Sequence, residues 1–321
     1  MPQLDPVVLF FLLGLAAGLA RADLKLPTAI YEFVSMILLL AIGLKGGVQL
    51  ATQPLGALLA DSVLVVLLGL LLPLLAFPVL RFAGRLPRAD AASVAAHYGS
   101  VSVGTFAVAI SFAAVRDIEY EPYLPLFVVL LEIPAILVGI VLARGVSRGT
   151  RWGELGRELF LGKSVVLLLG GLLIGWAAGP DGLASVDDLF FDLFKGVLAL
   201  FLLEMGLIAS AHLSGALRYG PFLLVWGVAA PVAFAAIGIA FGALMGLSPG
   251  GTMLLAVLAG SSSYIAAPAV LRAAVPEANP AISLTASLAI TFPFNITLGY
   301  PLERLVLFCF GKVCQQFLQL C

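Results

Sequence analysis

Hydroxyl side chains stand in this sequence where a membrane span should be purely apolar. Ser261, Ser262 and Ser263 follow Gly260 inside the apolar run 251–274, and Gly99, Ser100 and Ser102 interrupt 91–115. In hydrocarbon every backbone N–H and C=O needs a partner, so an unwound stretch survives only inside protein or against a wet cavity. Glycine permits the break, and serine hydroxyls can cap the freed N–H groups of the half-helix that follows. Second half-helices starting near Ser102–Thr105 and Ser263–Ile265 would present free N–H groups and a positive dipole end. Two such ends with hydroxyls between them suit a small anion. The same hydroxyls and unwound carbonyls can ligate sodium. The bland alternative is that Gly and Ser simply allow close helix packing.

Two carboxylates belong to the same question. Glu132 lies deep in the apolar run 123–143 and Glu204 in 189–213. Intramembrane carboxylates are costly, which makes both candidates for cation ligands or proton carriers, against a hydrogen-bonded structural role. Asn295 and Thr291 are placed to hydrogen-bond the interrupted spans, with a kink at Pro293. His97, just before the first interruption, reads as a packing histidine. Asp61 reads as a solvated residue at a span edge, and Lys45 as a side chain snorkelling to the interface.

The elements that must position these groups follow from composition. Of 321 residues, 62% are hydrophobic and 11% charged, with a mean hydropathy of +1.13. A bilayer acts as solvent for that much apolar surface. The net charge of -1 argues against a nucleic-acid partner. His97 and His212 have no metal-ligand spacing, and Cys309, Cys314 and Cys321 form neither a disulfide framework nor a zinc pattern. An enzyme is not expected, since no nucleophile–base pair appears.

Apolar length and flanking charge predict an all-α polytopic membrane protein of ten transmembrane helices. The expected spans are about 6–20, 27–47, 57–81, 91–115, 123–143, 164–178, 189–213, 221–247, 251–274 and 281–302. Residues 144–163 form a polar linker between two halves, 1–143 and 164–302, and 303–321 is a C-terminal tail. The first apolar run has no basic n-region and reads as a retained span. One side of the membrane receives 12 of the 17 Lys and Arg residues. The positive-inside rule makes that side cytoplasmic and puts both termini outside.

The halves repeat. Ala41-Ile42-Gly43-Leu44 matches Glu204-Met205-Gly206-Leu207 at a shift of 163 residues, and Gly99-Ser100 matches Gly260-Ser261 at 161. Five spans per half invert the second half relative to the first. Two spans, 4 and 9, broken at corresponding places in an inverted repeat are the mark of a midplane binding site in a secondary transporter.

The residues also resemble the sodium-dependent bicarbonate transporter family over nearly the whole chain. The resemblance is carried by AIGLKGGVQL (41–50), AAHYGSVSVGTFAVAI (95–110), LEIPAIL (131–137) and AGSSSYIAAPAVLRAAVPEANPAISLTASLAITFPFNITLGYP (259–301). It implies a 5+5 inverted repeat with core and gate domains, an elevator-like mechanism, a homotrimer in a cell inner membrane, and a cytoplasmic PII-like regulator. It implies bicarbonate held between the broken helices, with sodium as coupling ion and no other cofactor. The expected anion-binding residues are Gly99, Ser100, Ser102, Gly104, Thr105, Gly260, Ser261, Ser262, Ser263 and Tyr264. The expected cation-binding residues are Ser102, Ser262, Glu132, Glu204 and Asn295. Tyr264 stands where the family has an aspartate, Glu132 where an aspartate is usual, and Lys45 where a small hydroxyl residue is expected. Two other readings stay open. One is a transporter of another small organic anion, or one coupled to protons through Glu132 or Glu204. The other is a membrane sensor or scaffold that does not transport.

Overall fold

A long apolar chain in a bilayer satisfies its backbone by folding into helices. The computed structural model describes residues 6–24, 26–51, 56–145 and 152–299, and these are helical with no strand among them. In order they form α1 (Pro6–Leu19), α2 (Thr28–Leu50), α3 (Gly56–Pro78), α4 (Arg88–Gly99), α5 (Val103–Val115) and α6 (Leu124–Arg144). After α7 (Trp152–Phe160) come α8 (Lys163–Leu183), α9 (Phe194–Arg218), α10 (Pro221–Met245), α11 (Pro249–Ala259), α12 (Ala266–Ala274) and α13 (Pro280–Leu284). The chain continues through π-helical Thr285–Thr291, α14 (Phe292–Phe294) and π-helical Asn295–Gly299. The tail 303–321 lies outside the described residues.

Among the described residues, 8 helical segments are long and apolar enough to cross a membrane, and α1 and α11 are shorter apolar helices. The predicted boundaries hold closely, with three differences. The expected linker contains a helix, α7, whose Leu159 packs with Ile136 and Ile140 of α6 and Leu271 of α12. The sixth apolar run breaks at Gly179 (φ 64°), directly after its expected end at 178, and a short further helical stretch starting at Pro180 runs to Leu183. The last span does not simply bend at Pro293, since wide π-helical turns on either side absorb the missing N–H.

The helices sort by packing. α2 runs along α8 and α1 along α9, while α3, α4 and α6 pack together and α10 packs on α11. The repeat match at Gly43 and Gly206 has a packing role. Gly43 meets the backbone of Leu168 and Gly171 on α8, and Gly206 meets the backbone of Phe11 and Leu15 on α1, contacts too close for any side chain.

Polar side chains tie the ends. Glu121 accepts the Ser248 N–H at 2.6 Å and the Ser248 hydroxyl at 3.1 Å. Ser248 in turn caps α11 by accepting the Gly251 N–H at 3.0 Å. Asp61 corrects the expectation of a solvated side chain. It is 6% exposed and accepts a hydrogen bond from the Tyr123 hydroxyl at 2.8 Å. Burial and the Asp61 carboxylate push the Tyr123 phenol up, so it stays a donor.

Candidate functional site

The two interruptions expected from the sequence lie against each other. α4 ends at Gly99, and Ser100 and Ser102 have extended backbone. α11 ends at Ala259, and α12 begins only at Ala266. The Ser102 N–H donates to Ser261 Oγ at 2.9 Å. The Ser263 N–H donates to the His97 carbonyl at 2.8 Å. Backbone groups freed by one interruption are therefore met by the other.

Each serine has a distinct task. Ser102 Oγ caps α5, accepting the Thr105 N–H at 3.0 Å and the Thr105 hydroxyl at 2.8 Å. Ser263 Oγ accepts the Ala267 N–H of α12 at 3.1 Å. The Ser261 hydroxyl donates to the Leu258 carbonyl at 2.8 Å while receiving Ser102. Asn295 Nδ2 donates to the Gly260 carbonyl at 2.9 Å, closing the end of α11. These groups satisfy the helix ends that an interruption exposes.

Other polar atoms of the same segments are buried without a protein partner. They are Ser100 Oγ, Ser262 Oγ, His97 Nε2 and the Tyr264 hydroxyl. The Tyr264 hydroxyl lies beside Ser102 without a hydrogen bond of ordinary geometry. A buried polar group left unpaired costs about 1–3 kcal/mol. His97 and Ser100 stand at the end of α4, and Ser262 and Tyr264 in the segment before α12.

Prolines of neighbouring spans lie against both interruptions. Gly99 sits against Pro73 of α3, and Gly260 against the Pro231 carbonyl of α10, which a Cβ would approach to 2.8 Å. Neither proline is marked by its own sequence context as part of the site. The pairing of each with an interruption glycine is visible only in space.

A cavity of about 10 Å³ opens between the segments, lined by Ser102, Glu132, Ser164, Ser263 and Tyr264 among others. That is about the room one water-sized sphere takes. Glu132 thus lines the same cavity as Ser102. Ser164 of α8, which carries no sequence signal beyond being a hydroxyl near a helix start, joins them. Glu204 does not. Its Oε2 accepts the Leu26 N–H at 3.2 Å, tying α9 to the approach to α2. Asn295 acts on Gly260 and does not line this cavity. Gly104 lies under the Tyr264 hydroxyl and the Phe201 ring of α9. Phe201 stacks on Tyr31 at 6.0 Å, and the Tyr264 ring meets Phe292 edge-on at 5.3 Å. Lys45 lines a separate cavity of about 500 Å³ with Lys195, Asp192 and Tyr120.

Comparison with known families decides what this geometry belongs to. A family model described as the Na+-dependent bicarbonate transporter superfamily matches residues 6–306. The chain belongs to this superfamily. The superfamily is one of transporters, not enzymes, and the resemblance read from 41–50, 95–110, 131–137 and 259–301 holds across almost the whole chain. No curated protein matches it. In a member of this superfamily the two interruptions bring together a buried carboxylate and unpartnered hydroxyls. Carboxylate and hydroxyl oxygens suit a hard cation better than nitrogen or sulfur.

Proposed function

We propose that this protein is a secondary transporter that imports bicarbonate coupled to sodium. The observation that carries this reading is the contact of Ser102 with Ser261. It joins the two interruptions and leaves Ser100, Ser262, His97 and Tyr264 with unspent hydrogen-bonding capacity around two helix starts. In the reading, bicarbonate lies between residues 99–105 and 260–264. Sodium is held near Glu132, Ser102 and Ser263, where the cavity has room for one small ion. The anion's negative charge and sodium's positive charge lower each other's cost of entering the membrane interior.

The reading counts ten spans. The 8 long segments are joined by α1 and by the pair α11–α12. Spans 4 and 9 are then broken helices of a 5+5 inverted repeat, residues 1–143 and 164–302 about the linker 144–163. α1, α2, α8 and α9 form a gate, and the remaining spans form a core that carries the site past it, as an elevator. The matched tasks of Gly43 and Gly206, and of the Gly99–Pro73 and Gly260–Pro231 pairs, support the repeat. The Lys- and Arg-rich ends face the cytoplasm, both termini lie outside, and the membrane is a cell inner membrane. The resemblance adds a homotrimer and a cytoplasmic PII-like partner.

The test is uptake of radiolabelled bicarbonate into proteoliposomes at fixed pH, with and without an inward sodium gradient. The expected result is uptake that rises with the gradient. Uptake indifferent to sodium would remove the coupling, and no uptake by folded protein would remove bicarbonate.

A further inference from the structure

We propose that the cavity lined by Lys45 and Lys195 is a binding site for an organic monocarboxylate, separate from the paired interruptions. The sequence reading of Lys45 as a snorkelling side chain leaves out what that side chain faces. It lines a cavity of about 500 Å³, inside the roughly 300–1,000 Å³ range of small-molecule sites. The space is far larger than a bicarbonate ion.

The lining combines two chemistries. Lys45 of α2 and Lys195 of α9 bring ammonium groups, and Ser111 of α5 brings a hydroxyl. Ser111 is 2% exposed, and its Oγ has no protein partner. Asp192 lines the same cavity, and Asp117 and Glu119 line the one adjoining it. Among the described residues none of these carboxylates forms an ion pair with Lys45 or Lys195. Phe190, Phe191 and Phe194 supply apolar wall from the turn Asp188–Asp192 and the first residue of α9. A carboxylate accepts hydrogen bonds from an ammonium and a hydroxyl alike. An aromatic or aliphatic body attached to it buries apolar area against the phenylalanines. A neutral ligand would leave the lysines without a counter-charge, and an inorganic anion would leave the apolar wall unused.

The cavity is distinct from the interruptions and shares a helix with them. Ser111 follows the α5 cap Ser102 by nine residues, which is about 13 Å along the helix. The walls come from α2 and α9 on one side, and from α5 and Pro125 of α6 on the other. In the gate-and-core reading these are the parts that move past each other, so a ligand touching both holds them together. That consequence rests on the transport reading, and the binding itself does not.

The experiment measures equilibrium binding of benzoate and 2-naphthoate to the full chain in lipid nanodiscs, with empty nanodiscs as blank. Both are expected to saturate, 2-naphthoate at the lower concentration. The uncharged 2-naphthylmethanol is expected to bind at least about tenfold more weakly, and Lys45→Gln to weaken 2-naphthoate about tenfold, the loss of one hydrogen bond to a charged group. Ser111→Ala should also weaken 2-naphthoate, with the melting temperature unchanged. No saturable binding of either carboxylate to folded wild type would overturn the proposal. So would equal affinity for acid and alcohol, or undiminished affinity in both folded variants. Displacement of 2-naphthoate by bicarbonate would assign the cavity to the transported anion and overturn its separateness. In proteoliposomes, 2-naphthoate is expected to lower the maximal rate of bicarbonate uptake without raising its KM. Wild type that takes up no bicarbonate would overturn the transport reading and leave the binding result standing.

Discussion

The backbone N–H of Ser102 donates to the side-chain oxygen of Ser261, 159 residues away, at 2.9 Å. This bond joins two helix interruptions that lie in different halves of the chain. It pairs a backbone donor that the first interruption alone would leave without a partner.

Ser261→Ala is expected to leave the Ser102 N–H buried and unpaired, while the Leu258 carbonyl keeps the Ser261 backbone N–H as a donor. The loss is about 1–3 kcal/mol. Uptake should fall and thermal unfolding should come earlier. Ser261→Thr, which keeps the oxygen, should retain most of both. Equal stability of Ser261→Ala and wild type in a detergent melting experiment would argue against the bond.

Ser262 and Ser263 are expected to separate. Ser263→Ala removes the cap on Ala267, worth about 1 kcal/mol, and should lower both stability and uptake. Ser262→Ala removes a hydroxyl with no protein partner. It should leave the melting temperature unchanged and sharply reduce uptake. Full uptake by the double variant would exclude these hydroxyls from the binding site.

Glu132→Gln is expected to abolish the sodium dependence of uptake, since Glu132 lines the small cavity with Ser102 and Ser263. Glu204→Gln should cost stability through its bond to Leu26 and leave sodium dependence intact. Sodium titrations of uptake on both variants decide the matter, and a reversed pattern would move the cation to Glu204.

Gly104→Ala places a Cβ into the Tyr264 hydroxyl and the Phe201 ring. Aromatic rings cannot yield as a flexible side chain does. Transport should be lost in a protein that still reaches the membrane. Adding Tyr264→Phe removes the hydroxyl and should restore part of the activity. Normal uptake by Gly104→Ala alone would show that α5 and α9 do not need this approach.

Tyr123→Phe is expected to destabilise by about 1–3 kcal/mol, because the buried Asp61 carboxylate loses its donor. Asp61→Asn in the same background should recover some of that, since an amide is cheaper to bury than a charge. Melting curves of the single and double variants read the coupling.

Much of this was legible in the sequence. Runs such as 124–144 and 221–245 are apolar for the length of a bilayer, and length and hydropathy alone fix a span. Gly and Ser inside 91–115 and 251–274 mark the interruptions, because glycine loosens the helix and serine can cap the backbone groups that a break frees. The tertiary structure decided which hydroxyls work and how. Ser102 and Ser263 are caps, Ser261 is a bridge, and Ser100 and Ser262 are left free. A one-dimensional pattern of identical side chains cannot separate these roles, because each depends on what lies across from it. The same holds for the carboxylates. Glu132 and Glu204 look alike in sequence, yet one lines the cavity with Ser164 and the other holds the N–H of Leu26. Pro73, Pro231 and His97 also acquired their places only in three dimensions. Local sequence sets where a helix stops, and packing between helices sets which of the freed groups meet a partner and which stay available.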